Sequence, residues 1–99
     1  MSDVIVTKNE EACRYEAHVG DRLAGVAEYV RTDGQVAFPH TEVDPEFGGR
    51  GIGSALVRHS LDDVREEGGL KVIPQCSFYV SWLDKHPDYA DLLSRDAAP

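Results

Sequence analysis

The spacing of apolar residues changes halfway along the chain, and this change constrains the fold more than any other feature. Before residue 44, apolar residues alternate with polar ones, which is typical of half-buried β-strands. After residue 51, they recur at every third or fourth position, which is typical of an amphipathic helix. A glycine-rich segment, residues 48–53, separates the two patterns. The sequence therefore predicts a mixed α/β domain of the α+β type, with an antiparallel meander first and helices after it.

The first half predicts three or four antiparallel strands. These cover residues 4–6, 14–19, 23–30 and 35–43. Asp33-Gly34 is a typical hairpin turn. Pro39 lies inside the last strand and cannot donate a hydrogen bond to a neighbouring strand, so we expect a bulge or a sheet edge there. Regular alternation would place His40 and Glu42 on the same face as Phe38.

The second half predicts a helix, a short strand, a second helix and a final helical turn. These elements cover residues 52–66, 70–74, 76–83 and 89–93. Gly68 and Gly69 lie where a left-handed residue commonly ends a helix. We expect residues 95–99 to fray, because chain termini with few apolar residues are seldom held in place.

Length and charge limit the classes of function. A chain of 99 residues accommodates one domain, which we place at residues 4–94. The formal net charge of −8 disfavours nucleic acid as a partner and mildly favours a cationic substrate. No apolar run approaches the ~18 residues of a membrane helix, and no signal peptide is evident, so we expect a cytoplasmic protein. The two cysteines and four histidines show no metal-ligand spacing, so no metal is expected. The oligomeric state stays open.

The glycine-rich segment needs a physical reason, because four glycines in six positions cost conformational entropy. Free N–H groups at the start of a helix, together with the positive end of its dipole, form an anion site. Arg50 adds a positive charge, so the segment is suited to a phosphate or pyrophosphate. The alternative is a tight connection without a ligand. The segment matches neither common nucleotide-binding motif. The phosphate loop of nucleotide triphosphatases requires Gly-Lys-Ser/Thr, whereas here Ser54 follows Gly53 directly. In the dinucleotide pattern GxGxxG/A, read from Gly49, Ser54 occupies the position of the third glycine.

The order of elements around this segment resembles that of the Gcn5-related N-acetyltransferases. The acetyl-CoA signature of that family, Arg/Gln-x-x-Gly-x-Gly/Ala, matches residues 48–53, with Gly51 and Gly53 in place. Gly48 replaces the usual Arg or Gln, which removes a side-chain contact but not the backbone N–H groups. A small, minimal branch of the family carries the segments His-Thr-x-Val and Pro-x-Cys-Ser, found here at 40–43 and 74–77. The resemblance covers roughly residues 4–94.

The resemblance implies an acetyl-CoA-dependent N-acetyltransferase with acetyl-CoA as cosubstrate and an amine as acceptor. The residues expected to bind acetyl-CoA are Glu42, Val43, Gly48, Gly49, Arg50, Gly51, Ile52, Gly53 and Ser54. The common form of the fold has early helices that shape the acceptor pocket, and residues 7–14 are too few to form them. The acceptor side should therefore be open and suit an exposed amine on a large or extended molecule. The alternative is a non-catalytic CoA-binding or protein-interaction module that retains the fold.

Three residues are candidates for the chemistry. Cys76 lies at a strand-to-helix junction, where a thiolate is stabilised and can act as a nucleophile; the alternative is a small packing residue. His40 is the candidate base, because a neutral imidazole accepts a proton near pH 7; the alternative is a core histidine bonded to backbone. Tyr79 shares a helical face with Cys76 and is the candidate proton donor to the departing CoA thiolate.

Overall fold

The computed structural model describes residues 4–93, which form one five-stranded sheet with two helices. The elements are β1 (Val4–Asn9), β2 (Arg14–Val19), β3 (Arg22–Thr32), β4 (Gln35–Val43), α1 (Ile52–Glu67), β5 (Lys71–Pro74) and α2 (Ser77–Lys85). Short 3-10 helices follow β4 and α2, at Pro45–Phe47 and Pro87–Leu92. The sheet order is β1-β2-β3-β4-β5, antiparallel up to β4 and parallel between β4 and β5. The predicted α+β arrangement and order of elements are confirmed.

Helix α1 covers one face of the sheet. Its buried residues pack against core residues of the strands, among them Tyr15, Ala17, Ala27 and Phe38. Gly25 of β3 permits the close approach, since a Cβ there would lie 3.0 Å from Cγ2 of Ile52 on α1.

The opposite face of the sheet, which we call the open face, is largely exposed. Ile5, Leu23 and Val30 lie on it with 60%, 43% and 52% of their surface accessible. Among the described residues, no helix has the length and hydrophobicity needed to cross a membrane.

A bulge in β4 confirms the prediction made from Pro39. His40 lies opposite Glu28 and Ala37 lies opposite Val30, so β4 has one more residue than β3 in this interval. The extra residue shifts the alternation of side chains. Thr41 lies opposite the buried Ala27 and faces the core side. His40 and Glu42 consequently lie on the open face, and the prediction that they share a face with Phe38 is wrong.

Candidate functional site

Strands β4 and β5 separate beside the predicted site. Their last partner pair is Phe38 with Pro74, and the N–H of Cys76 then donates to the carbonyl of Phe38 at 2.9 Å. Beyond that bond β4 continues to Val43, whereas the other chain segment turns into α2. Within residues 4–93, positions 39–43 have no strand partner on the β5 side. Glu42 and Val43, which are predicted to contact the pantetheine arm, lie in this stretch of β4.

The glycine-rich segment forms an open cradle at the start of α1. Gly49 and Gly51 have φ of +80° and +75°, a conformation that favours glycine, and a Cβ at either position would meet nothing within 4 Å. Gly51 is the N-cap, and no side chain caps the helix. The N–H groups of residues 52–54 therefore point away from the helix at its positive end. This arrangement fits an anionic group such as a pyrophosphate.

Arg50 adds a positive charge to the cradle. Its guanidinium lies 5.5 Å from the ring of Phe47 and forms no salt bridge within residues 4–93. Arg22, on the same ring at 5.1 Å, is instead held by Glu46 through two hydrogen bonds of 2.8 and 2.6 Å. Arg50 is thus the cation available to an anionic ligand here.

Gly53 has a packing role as well as its predicted binding role. A Cβ at this position would lie 2.5 Å from Cζ of Phe78, the second residue of α2. The start of α2 therefore rests directly on the start of α1. The contact places the cradle and Cys76, two residues before Phe78, at one end of the molecule.

Cys76 is the N-cap residue of α2 and is partly buried. Burial raises the pKa of its thiol. Interactions with the Thr41 hydroxyl and with the N–H groups of Phe78 and Tyr79 together lower this pKa by more, so that the pKa of Cys76 lies below its usual range. A lowered thiol pKa is the property that the predicted nucleophile requires. Thr41 was not among the site residues predicted from the sequence. The bulge expected at Pro39 was a signal that the side chains after it would lie on the opposite face of the strand from the one that regular alternation predicts.

His40 lies on the open face and does not meet Cys76 there. Its side chain is 53% exposed, and its Nε2 lies 3.5 Å from Oε1 of Glu42. Cys76 lies beside Thr41, which faces the other side of β4. The strand that carries His40 is the neighbour of the strand that ends two residues before Cys76, as expected, but Thr41, which lowers the pKa of the thiol, faces the side of β4 opposite to His40.

The structure does not bring the hydroxyl of Tyr79, the candidate proton donor, to the site, because this hydroxyl lies in the core. Tyr79 is fully buried, and its ring stacks on Phe38 with centroids 4.5 Å apart. Its hydroxyl lies 2.7 Å from that of Ser60, which itself donates to the carbonyl of Val57 at 2.9 Å. Since a serine hydroxyl has one proton, Tyr79 is the donor in this pair. Burial also raises the pKa of Tyr79, so the residue joins α2 to α1 rather than serving the site.

Surface cavities border the sheet. One, of about 340 Å³, lies next to the predicted pantetheine edge and is lined by residues that include Leu23, Val26, Glu42 and Val43. Another, of about 450 Å³, is lined by residues 7–11 and Glu16 at the β1–β2 turn and contains none of the predicted site residues. Within residues 4–93, no group of three His, Cys, Asp or Glu residues is arranged to hold a metal ion.

A five-stranded mixed sheet that opens between β4 and β5, beside a glycine-rich helix start, defines a class of acyltransferase fold. The model of the family described as GCN5-related N-acetyl-transferase matches residues 14–92, which is most of the chain. The chain therefore belongs to the GCN5-related N-acetyltransferase family.

A solved structure supports the same fold. The chain is similar to the ribosomal-protein-S18-alanine N-acetyltransferase from Escherichia coli, with a TM-score of 0.65 and 16% sequence identity. The match covers 78% of this chain and 52% of that enzyme, so the chain spans about half of the enzyme's length. A comparison with curated protein sequences finds no match.

Proposed function

We propose that the protein is an acetyl-CoA-dependent N-acetyltransferase that acts on a primary amine. The observation that carries this proposal is the opening between β4 and β5, which lies between an uncapped, glycine-rich helix start and a thiol of lowered pKa. An anion cradle and a reactive group at one end of a small domain suit a substrate with a phosphate end and a reactive thioester end.

Two different sets of groups in the protein bind the pyrophosphate and the pantetheine arm of acetyl-CoA. The N–H groups of residues 52–54 and the guanidinium of Arg50 hold the pyrophosphate, because both carry positive charge into an otherwise acidic protein. The unpaired edge at residues 39–43 offers backbone groups to the amides of the pantetheine arm. When bound, acetyl-CoA supplies the acetyl group as a thioester.

The open face supplies the acceptor side. Glu28 and Glu42 flank His40 on this face, and their carboxylates favour an approaching ammonium group. In this proposal His40 accepts the proton that a primary amine loses before it attacks. Since no helix of the described residues covers this face, an amine on a large or extended molecule can reach it.

The alternative function, a CoA-binding module without turnover, is favoured by one observation. His40 and Cys76 lie on opposite sides of β4, so the structure does not join them into a base–nucleophile pair. Such a module would need the cradle but not the thiol.

Acetyl-CoA affinity measured beside steady-state transfer to a panel of amines and lysine-containing peptides separates the two functions. The enzyme binds acetyl-CoA and acetylates at least one amine, whereas the module binds without turnover. Absence of acetyl-CoA binding would contradict both functions.

A further inference from the structure

Phe78 is a large aromatic residue that the fold leaves partly exposed. It is the second residue of α2, and 41% of its surface is accessible, whereas its neighbour Tyr79 is fully buried. A single exposed apolar side chain is common on protein surfaces. Whether this one has a role in binding therefore depends on where its ring lies relative to the site.

The ring of Phe78 lies against the start of α1, where the pyrophosphate is proposed to bind. A Cβ on Gly53 would lie 2.5 Å from Cζ and 2.9 Å from Cε2 of Phe78, so the tip of the ring covers the backbone of Gly53. Gly53 is the second residue of α1, and its N–H is one of those that form the cradle. The partly exposed ring therefore borders the cradle.

The backbone of Phe78 lies close to the candidate nucleophile. Cys76, the N-cap of α2, precedes Phe78 by two residues. The N–H of Cys76 donates to the carbonyl of Phe38 at 2.9 Å, which holds this helix start against β4. Phe78 thus extends from the thiol to the cradle, the two groups assigned to the thioester end and to the pyrophosphate of acetyl-CoA.

The chemistry of acetyl-CoA differs on the two sides of its pyrophosphate. The adenosine side carries a ribose with a further phosphate. The pantetheine side begins with a carbon that bears two methyl groups, and a hydroxyl and two amides follow. An aromatic ring beside the pyrophosphate is suited to cover the methyl groups, because apolar surface gains from burial, whereas ribose and phosphate would lose hydration without gaining hydrogen bonds.

We propose that Phe78 is a binding residue whose ring packs on the two methyl groups of the pantetheine arm. In this arrangement the unpaired edge of β4 serves the amides of the arm, and the ring serves its apolar part. The inference rests on the proposed function in that it takes acetyl-CoA as the ligand. It does not depend on whether the acetyl group is transferred.

The test compares the dissociation constants of acetyl-CoA and 3′-phospho-ADP, measured by isothermal titration calorimetry. The second ligand has the adenosine and pyrophosphate of CoA but lacks the pantetheine arm. Phe78→Ala removes the ring, and Phe78→Leu keeps a large apolar side chain. Val80→Ala is the matched control, since Val80 is 50% exposed on the same helix, whereas the three atoms nearest to a Cβ on Gly53 all belong to Phe78. Circular dichroism confirms that each variant is folded.

Phe78→Ala should weaken the binding of acetyl-CoA by about 4- to 15-fold, because burial of each methyl group contributes a factor of about four. The binding of 3′-phospho-ADP should not change. Phe78→Leu should lose less affinity for acetyl-CoA than Phe78→Ala, and Val80→Ala should lose none.

An unchanged affinity for acetyl-CoA in folded Phe78→Ala would overturn the inference. An equal loss for both ligands would also overturn it, since the ring would then act on the cradle or on the adenosine end. A wild type that binds neither ligand would contradict the proposed function and this inference together. Binding of acetyl-CoA without turnover would contradict only the proposed reaction and would leave the role of Phe78 intact.

Discussion

The backbone N–H of Cys76 donates a 2.9 Å hydrogen bond to the carbonyl oxygen of Phe38, and this bond closes the pairing of β4 with β5. The ring of Phe38 also stacks on Tyr79, one turn into α2. Two contacts from one core residue thus fix the start of α2 against β4. The position of the Cys76 thiol is therefore set by buried packing rather than by a mobile loop.

The cradle at residues 48–54 should bind the pyrophosphate of acetyl-CoA. Acetyl-CoA at ~100 times its dissociation constant should stabilise the wild type by about 2.7 kcal/mol, measured as a rise in melting temperature. Gly51→Val should abolish that rise, because its side chain would fill the open space in front of the helix N–H groups.

Gly34→Val is the matched control for this prediction. Gly34 has φ of +74°, against +75° for Gly51, and likewise has open space around its Cβ position, but it lies in the β3–β4 turn. Both variants should lose similar stability, yet only Gly51→Val should lose the response to acetyl-CoA. Equal responses in the two variants would show that the cradle is assigned wrongly.

The contact between Gly53 and Phe78 predicts that replacing this helical glycine by alanine destabilises the fold, whereas such a replacement usually stabilises it. Gly→Ala at a compatible helical position usually stabilises by about 0.4–1 kcal/mol. Gly53→Ala should instead destabilise by about 0.5–1.5 kcal/mol in urea unfolding, because the new Cβ would lie 2.5 Å from the partly exposed Phe78 ring, which must move from its preferred position.

The double variant Gly53→Ala with Phe78→Ala checks the cause. Removing the ring should relieve the overlap, so the cost of the glycine substitution should largely disappear in the Phe78→Ala background. If Gly53→Ala stabilises the wild type, the packing of α2 on α1 differs from the one described.

The Tyr15–Asp63 hydrogen bond predicts a pH-dependent part of the stability. Burial opposes ionisation of Asp63, but the Tyr15 hydroxyl at 2.7 Å and the Lys8 ammonium at 3.4 Å lower its pKa overall. A carboxyl whose folded pKa is lowered stabilises the fold above its unfolded value of about 3.9, and the contribution is lost as the pH falls through the folded pKa.

Tyr15→Phe should therefore cost about 1 kcal/mol at pH 7 and progressively less as the pH falls below the unfolded Asp pKa of about 3.9, measured by chemical unfolding across the pH range. Tyr29→Phe is the control, since Tyr29 packs 5.4 Å from Tyr15 but forms no hydrogen bond with Asp63. A cost for Tyr15→Phe that does not change with pH would mean that the hydrogen bond leaves Asp63 unperturbed.

The sequence was sufficient to predict the order of elements, since strands and helices differ in period and the turns contain glycine. It also predicted the bulge, because Pro39 lacks an N–H. Which side chains of β4 face the core after the bulge depends on whether β3 or β4 carries the extra residue. The sequence does not show this, so it could not predict that His40 faces the open side and Thr41 the core side. Helical spacing placed Tyr79 near Cys76 but could not reveal Ser60, which lies 19 positions earlier and shares a hydrogen bond with the Tyr79 hydroxyl.

Cys76 is expected to carry the acetyl group transiently. In that step the Sγ–acetyl bond forms as the acetyl bond to the CoA sulfur breaks, and CoA leaves as its thiolate and then takes a proton from solvent. Incubation with acetyl-CoA in the absence of an acceptor should add the mass of one acetyl group, and peptide mapping should locate it on Cys76 and not on Cys13. The adduct should be missing in Cys76→Ala. A wild type without any adduct would indicate direct transfer to the amine.

The central claim is that an amine is acetylated where β4 and β5 separate. The most direct test is the rate of acetyl-peptide formation from acetyl-CoA and a lysine-containing peptide, compared among the wild type, Cys76→Ala and His40→Ala. The account predicts turnover by the wild type and a loss of ~100-fold or more in both Cys76→Ala and His40→Ala, since a positioned base contributes about 10²–10⁴-fold. Loss in His40→Ala alone would favour direct attack by the amine, with histidine as the base. Wild-type turnover in both variants would contradict the assignment of the site.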